Sequence, residues 1–185
     1  MGSHHGYSTI ILSKTVGKDG KVYAFEPFPE NIKILKRNME INNLRNVVII
    51  EKAVGRSNEK IIIYGSDGVN IQNREKAYKS EVVPLDEYKD IKIDAIKIDV
   101  EGYECEVLEG AKEILKKNPN IILEIHARNL YKCTVTKLLS HLRNLKNKEF
   151  YIQWEEWEKP QLFYFNKPIN KRVHLFAIDK TTSFK

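Results

Sequence analysis

The sequence predicts an α/β fold with a mostly parallel sheet and antiparallel strands added at its C-terminal edge. Three observations carry this. Short apolar runs alternate with amphipathic helical stretches along the first two thirds of the chain. Some of those runs, VVII (47–50) above all, are continuous rather than alternating, as in strands buried on both faces. The last third then changes character, with three strand-like segments following one helix.

Taken in order, residues 7–16 (YSTIILSKTV) read as a short helix and KVYAF (21–25) as a strand ended by Glu26 and Pro27. Pro29 opens a helix to about Asn43, because proline suits a first helical turn and Ile32, Leu35 and Met39 recur at helical spacing. VVII is the second strand. IIIY (61–64) and EVVPL (81–85) form a strand pair around a polar loop, 65–79. DAIKID (94–99) is a further buried strand, and helix 103–116 follows with one apolar stripe from Tyr103 to Leu115. NIILEI (120–125) is a strand, 134–146 a helix, and 149–154, 161–165 and 173–178 are antiparallel strands. The 185 residues fit one domain at about 150 residues per domain. Within it, 1–127 is a cofactor-binding core and 128–185 a helix plus edge strands.

Composition excludes several classes. A hydrophobic fraction of 42% with 30% charged residues is that of a folded chain. No apolar run approaches the roughly 20 residues of a membrane span. No secretory leader is visible, and Cys105 and Cys133 have no metal-type spacing. They read as inert thiols in a reducing, cytoplasmic setting. The net charge of +6 divides unevenly: residues 1–111 carry 16 basic and 18 acidic side chains, residues 112–185 carry 15 and 7. The basic rear half is either a solvated face or a surface for an anionic partner.

In parallel α/β sheets ligands sit beyond the C-terminal strand ends, so the residues there are the candidates. Glu26 ends its strand 20 residues after Gly6, in the segment GSHHG (Gly2, Ser3, His4, His5, Gly6) that leads into a helix. A glycine turn lets a ligand approach the backbone, and a carboxylate about 20 residues on suits a ribose diol. GSHHG is not the GxGxxG of dinucleotide binders, which disfavours NAD; the alternative for Glu26 is a helix N-terminal acid. MGSHH also resembles an affinity-tag leader, and we read it as native. In IKIDVEGYE (96–104), Lys97, Asp99 and Glu101 share one side, as an acid/base cluster or as a structural ion pair. In ILEIHA (122–127), Glu124 and His126 share a face, and strand-end His126 is a proton acceptor for a substrate hydroxyl, a metal ligand or simply hydrogen-bonded. Spacing assigns no metal.

VYAFEPFPENIKILKRNMEINN, the Ala53–Val54–Gly55 step, VVPLDEY, IKIDVEGYECEVLEGA and ILEIH together resemble the FkbM-type methyltransferases over residues 2–127. IDVEGYE followed by VLEGA is the most specific element. The resemblance implies a Rossmann-like class I methyltransferase sheet of seven strands with one antiparallel, S-adenosylmethionine as cofactor, and O-methylation of a hydroxyl on a sugar or small metabolite. By position it implies that Gly2, Ser3 and Gly6 face the methionine end of the cofactor, Glu26 with Pro27 holds the ribose, and Ala53 and Val54 lie against the adenine. Asp99 and Glu101 would line the methyl-transfer site, with His126 as the rival base and Lys97 tuning the cluster. The family's first strand, before the glycine loop, has no counterpart here, so the strands ending at Glu26 and Asp99 are expected either to pair directly or to leave unpaired backbone groups. Two other functions stay open: a nucleic-acid (RNA) methyltransferase using the basic rear half, and a non-catalytic protein of the same fold. The segment YIQWEEWEKPQLFYF is a lid, an acceptor wall, an oligomer surface or plain edge strands. No membrane partner is expected, and the acceptor has no readable code.

Overall fold

The computed structural model describes residues 1–64 and 77–181. They form two compact units, one up to Val83 and one from Pro84.

The first unit begins with the glycine segment and α1 (Tyr7–Val16). α1 buries Thr9 and Ser13 rather than an apolar stripe. Asn46 fastens it, accepting from the Ser13 hydroxyl and donating to Ser13 O (3.1 Å) and Gly17 O (2.8 Å). β1 (Val22–Phe25) pairs in parallel with β2 (Val47–Ile50), Val22 opposite Val47 and Phe25 opposite Ile50. Between them runs α2 (Pro29–Ile41), with proline in its first turn as the sequence predicts. It stops two residues early, because Leu44 N turns back to Met39 O and Asn43 takes a left-handed φ of 54°. Ala24, Leu35 and Met39 form the core here, with Ile10, Leu44, Val47 and Ile49 packed against it. Each fully buried large apolar side chain is worth roughly 1.5–3 kcal/mol. β2 departs from expectation: Val48 is exposed, so this strand is not covered on both faces.

β3 (Ala53–Gly55), β5 (Ala77–Pro84) and β4 (Glu59–Tyr64) form a second small sheet in the order β3-β5-β4. β4 and β5 are antiparallel, Glu59 opposite Val82 and Tyr64 opposite Ala77. Residues 65–76 of the expected polar loop lie outside the described residues; 77–79 belong to β5.

The second unit is built on β6 (Ala95–Ile98), β7 (Asn120–His126), β10 (Arg172–Asp179), β8 (Lys148–Gln153) and β9 (Gln161–Leu162), in that spatial order. β6 and β7 are parallel, whereas β10 runs antiparallel to both β7 and β8. Parallel strands followed by antiparallel edge additions is the predicted pattern. The expected helix 103–116 is instead two: α3 (Glu104–Glu109) and α4 (Lys112–Lys116). Gly110, a poor helix former, sits at the break. The carboxylate of Asp86 then caps the new N-terminus, accepting from Glu113 N and Ile114 N at 3.0 Å. α5 (Val135–Leu142) starts at a Thr134 cap, whose hydroxyl accepts from Lys137 N, and ends four residues before the predicted limit. Val107, Leu108, Ile114, Ile121, Leu123, Ile125, Leu138 and Leu142 are fully buried.

The cysteines correct the sequence reading. Cys105 and Cys133 are not inert thiols but a disulfide, with Cα atoms 6.3 Å apart. It ties α3 to the residue before the Thr134 cap, and it removes the cysteine argument for a reducing setting. No helix among the described residues is long and apolar enough to cross a membrane.

Candidate functional site

In the first unit the glycine segment is folded against the end of β1. Ser3 N donates to Phe25 O (3.1 Å), Gly6 N to Ser3 O (2.8 Å), and Asn38 Nδ2 to His5 O (2.7 Å). Gly2, His4 and Gly6 all have positive φ. Gly6 must be glycine for space as well, since a Cβ there would lie 2.6 Å from Leu35 Cδ1. The buried carboxylate of Glu26 closes the segment: it accepts from His4 N (2.6 Å), Phe28 N (3.2 Å) and Asn31 Nδ2 (3.0 Å). The bond from Phe28 N is the helix N-terminal role weighed for this residue, and the bond from His4 N joins Glu26 to the glycine segment. Pro27 follows it directly into α2. Val54 is buried in β3 and Ala53 is half-buried.

In the second unit the parallel pair β6 and β7 ends at Asp99 and His126, and one donor atom each from Asp99, Glu101 and His126 lies within 4.8 Å of the others. Lys97 sits on the same strand and pairs with Asp99 (2.8 Å), both half-buried. Glu101 has a left-handed φ of 52°, and Gly102 follows at 107°. A Cβ on Gly102 would meet Asn129 O at 2.2 Å, so only glycine fits this turn.

His126 is buried and held from behind. Its Nδ1–H donates to Glu104 Oε1 (2.7 Å), and the same oxygen accepts from Gly102 N (3.0 Å). Glu104 has no exposed surface. The imidazole therefore presents Nε2 towards Glu101 Oε2 (3.2 Å) and Glu124 Oε1 (3.5 Å). Burial pushes His126 down, but the Glu104 bond and the charges of Glu104, Glu101 and Glu124 outweigh it and hold its pKa above the ordinary value. Burial likewise pushes Glu124 up, yet His174 and Arg172, with His126, bring it down to about 2. The β7–β10 register explains this, since it sets Arg172 opposite His126 and His174 opposite Glu124. Arg172 pairs with Glu124, and His174 Nε2 lies 3.3 Å from it.

Two groups of predicted residues are thus brought together: Gly2, Ser3, Gly6 and Glu26 in one unit, Lys97, Asp99, Glu101 and His126 in the other. Sequence reasoning missed Glu104, Arg172 and His174. Glu104 lies inside the IDVEGYE motif and carried a signal, whereas Arg172 and His174 depend on a strand register no local pattern reveals. The cavity of about 370 Å3 lined by Asp94, Pro119 and Asp179 lies at the opposite, N-terminal ends of β6 and β7.

The Methyltransferase FkbM domain matches residues 1–151. The chain belongs to that family. It is 28% identical over 157 residues to the hexuronic acid methyltransferase AglP of Haloferax volcanii, an alignment covering 77% of this chain and 61% of that protein. Among solved structures, the methyltransferase FkbM of Methylobacillus flagellatus aligns with a TM-score of 0.64 at 18% identity, over 96% of this chain and 42% of that one. A SAM-dependent O-methyltransferase of Thermotoga maritima aligns at 0.54 and 16% identity, over 96% and 57%. These likenesses show the fold, the Rossmann-like class I methyltransferase architecture. The chain spans about three fifths of the length of the Haloferax relative.

Proposed function

We propose that this chain is an S-adenosylmethionine-dependent O-methyltransferase acting on a hydroxyl of a sugar or small metabolite, with a hexuronic acid as the first acceptor to try. One observation carries the proposal: in a chain of the FkbM family, Asp99, Glu101 and His126 converge at the C-terminal ends of two adjacent parallel strands. The name of the Haloferax relative supports the sugar acid.

The residues of the first unit fit the cofactor. Gly2 and Gly6 give the segment the positive-φ turn that a closely approaching ligand needs, with Gly6 itself buried against Leu35. Glu26 offers a buried carboxylate with about one acceptor position beyond its three present donors, suited to a ribose hydroxyl. Ala53 and Val54 offer an apolar surface for an adenine, and the family resemblance assigns Asp99 to the cofactor as well. When bound, S-adenosylmethionine supplies an electrophilic methyl group on a sulfonium.

The remaining work falls to the cluster. A sugar hydroxyl attacks poorly while it keeps its proton. Asp99, Glu101 and His126 are groups able to accept or displace that proton, and Lys97 balances the charge on Asp99. The exposed Tyr103 and Tyr131 rings, stacked 4.6 Å apart beside Gly102, suit the flat face of a sugar.

The test is transfer of labelled methyl from S-adenosylmethionine to a panel of hexuronic acids, neutral sugars and RNA. Label should enter a sugar, and Asp99→Ala and His126→Ala should each lower kcat/KM by about 100-fold or more. Label entering RNA alone, or full transfer by both variants, would refute the assignment.

A further inference from the structure

We propose that Asp99, Glu101 and His126 form a binding site for one divalent transition-type cation, Mn2+ or Zn2+ in class. Three observations converge on it. The donor set is one imidazole and two carboxylates, gathered within 4.8 Å, a mixture that suits these ions. An ion at about 2.0–2.2 Å from each donor needs them roughly 3–3.5 Å apart, a spacing that His126 Nε2 and Glu101 Oε2 already have at 3.2 Å.

The second observation is the state of His126. Its Nε2 is buried, makes no hydrogen bond among the described residues, and faces Glu101 Oε2 at 3.2 Å and Glu124 Oε1 at 3.5 Å. Such a nitrogen is costly to leave without a partner. Its Nδ1–H is fixed by Glu104, which has no exposed surface. A carboxylate holding one imidazole nitrogen while the other is aimed at anionic oxygens is the arrangement that orients histidine ligands behind metals. Glu104 is then a positioning residue.

The third is charge. Lys97 pairs with Asp99 and Arg172 with Glu124, whereas Glu101 and Glu104 both face the one imidazole. A cation at Nε2 balances that excess.

The consequence rests on the methyltransferase reading: a hydroxyl coordinated to the ion loses its proton to water more readily, so the ion takes over the task assigned above to the cluster. Binding itself does not depend on that reading, and the experiment separates the two.

The chain, stripped with a chelator, is titrated with MnCl2 alone and followed by electron paramagnetic resonance, with ZnCl2 as competitor. One saturable Mn2+ per chain is expected, displaced by Zn2+. Glu101→Gln, at an exposed position, should weaken it at least 10-fold with the circular dichroism spectrum unchanged. Glu104→Gln should weaken it about 10–100-fold in the same spectrum. Absence of saturable binding by either metal, or unchanged affinity in Glu101→Gln, would overturn the site. Metal binding without methyl transfer to any acceptor keeps the site and removes the methyltransferase reading. Methyl transfer undiminished after chelation removes the ion's role in the reaction and leaves the enzyme.

Discussion

Glu101 and Gly102 form a turn in which two successive residues take positive φ, 52° and 107°. A non-glycine residue there costs free energy, and the turn places Glu101 beside His126. Gly102→Ala should therefore lose at least about 2 kcal/mol of stability in urea unfolding, because its Cβ would overlap the Asn129 carbonyl, which the backbone fixes. A loss under about 0.5 kcal/mol would mean that Asn129 yields and that the turn is less constrained than described. At this scale the sequence was informative where chemistry follows from strand ends. Glu26, Asp99 and His126 could be picked out because a charged or titratable residue ends an apolar run. The partners that define their behaviour were not visible. Glu104 needed a turn to bring it under His126, and Arg172 and His174 needed the antiparallel register of β10.

Among the elements, the strands were easier to read than the helix ends. VYAF, VVII, AIKI and the tail strands β8 and β10 appear where apolar runs predict them, since backbone pairing and burial both follow such runs, whereas only Gln161–Leu162 of the expected 161–165 is a strand. The single helix expected over 103–116 failed because Asp86, in a distant 3-10 turn (Leu85–Tyr88), caps a second helix start. Glu109, the last residue of α3, is held at about 2 by its neighbour Lys112 first, then by Lys137 and His141, which together outweigh burial. The disulfide belongs here too, since it joins α3 to the start of α5 over 28 residues. Closing a loop of that size stabilises by roughly 2–4 kcal/mol. Reduction, or a Cys105→Ser/Cys133→Ser double variant, should lower Tm by several degrees while a non-reducing mass spectrum of the native chain shows two fewer thiol-reactive sites. Two freely alkylated thiols in the native chain, with no change of Tm on reduction, would contradict the bond.

The whole molecule joins a near-neutral front to a rear with eight more basic than acidic residues. That rear is not a bare cationic surface, because Lys116, Lys137, Lys148, Lys171 and Arg172 all have carboxylate partners. This favours the solvated-face reading of the charge. The end of β1 uses its Phe25 carbonyl to receive Ser3 N of the glycine segment. The glycine segment, Glu26 and the FkbM match over residues 1–151 together make cofactor binding the property on which everything else depends. Calorimetric titration of the chain with S-adenosylhomocysteine tests it directly. The account predicts saturable binding of one molecule per chain, weakened about 10-fold or more by Glu26→Gln, since a charge-assisted hydrogen bond is worth about 1.5–3 kcal/mol. No saturable heat, or equal affinity in the Glu26→Gln variant, would contradict it.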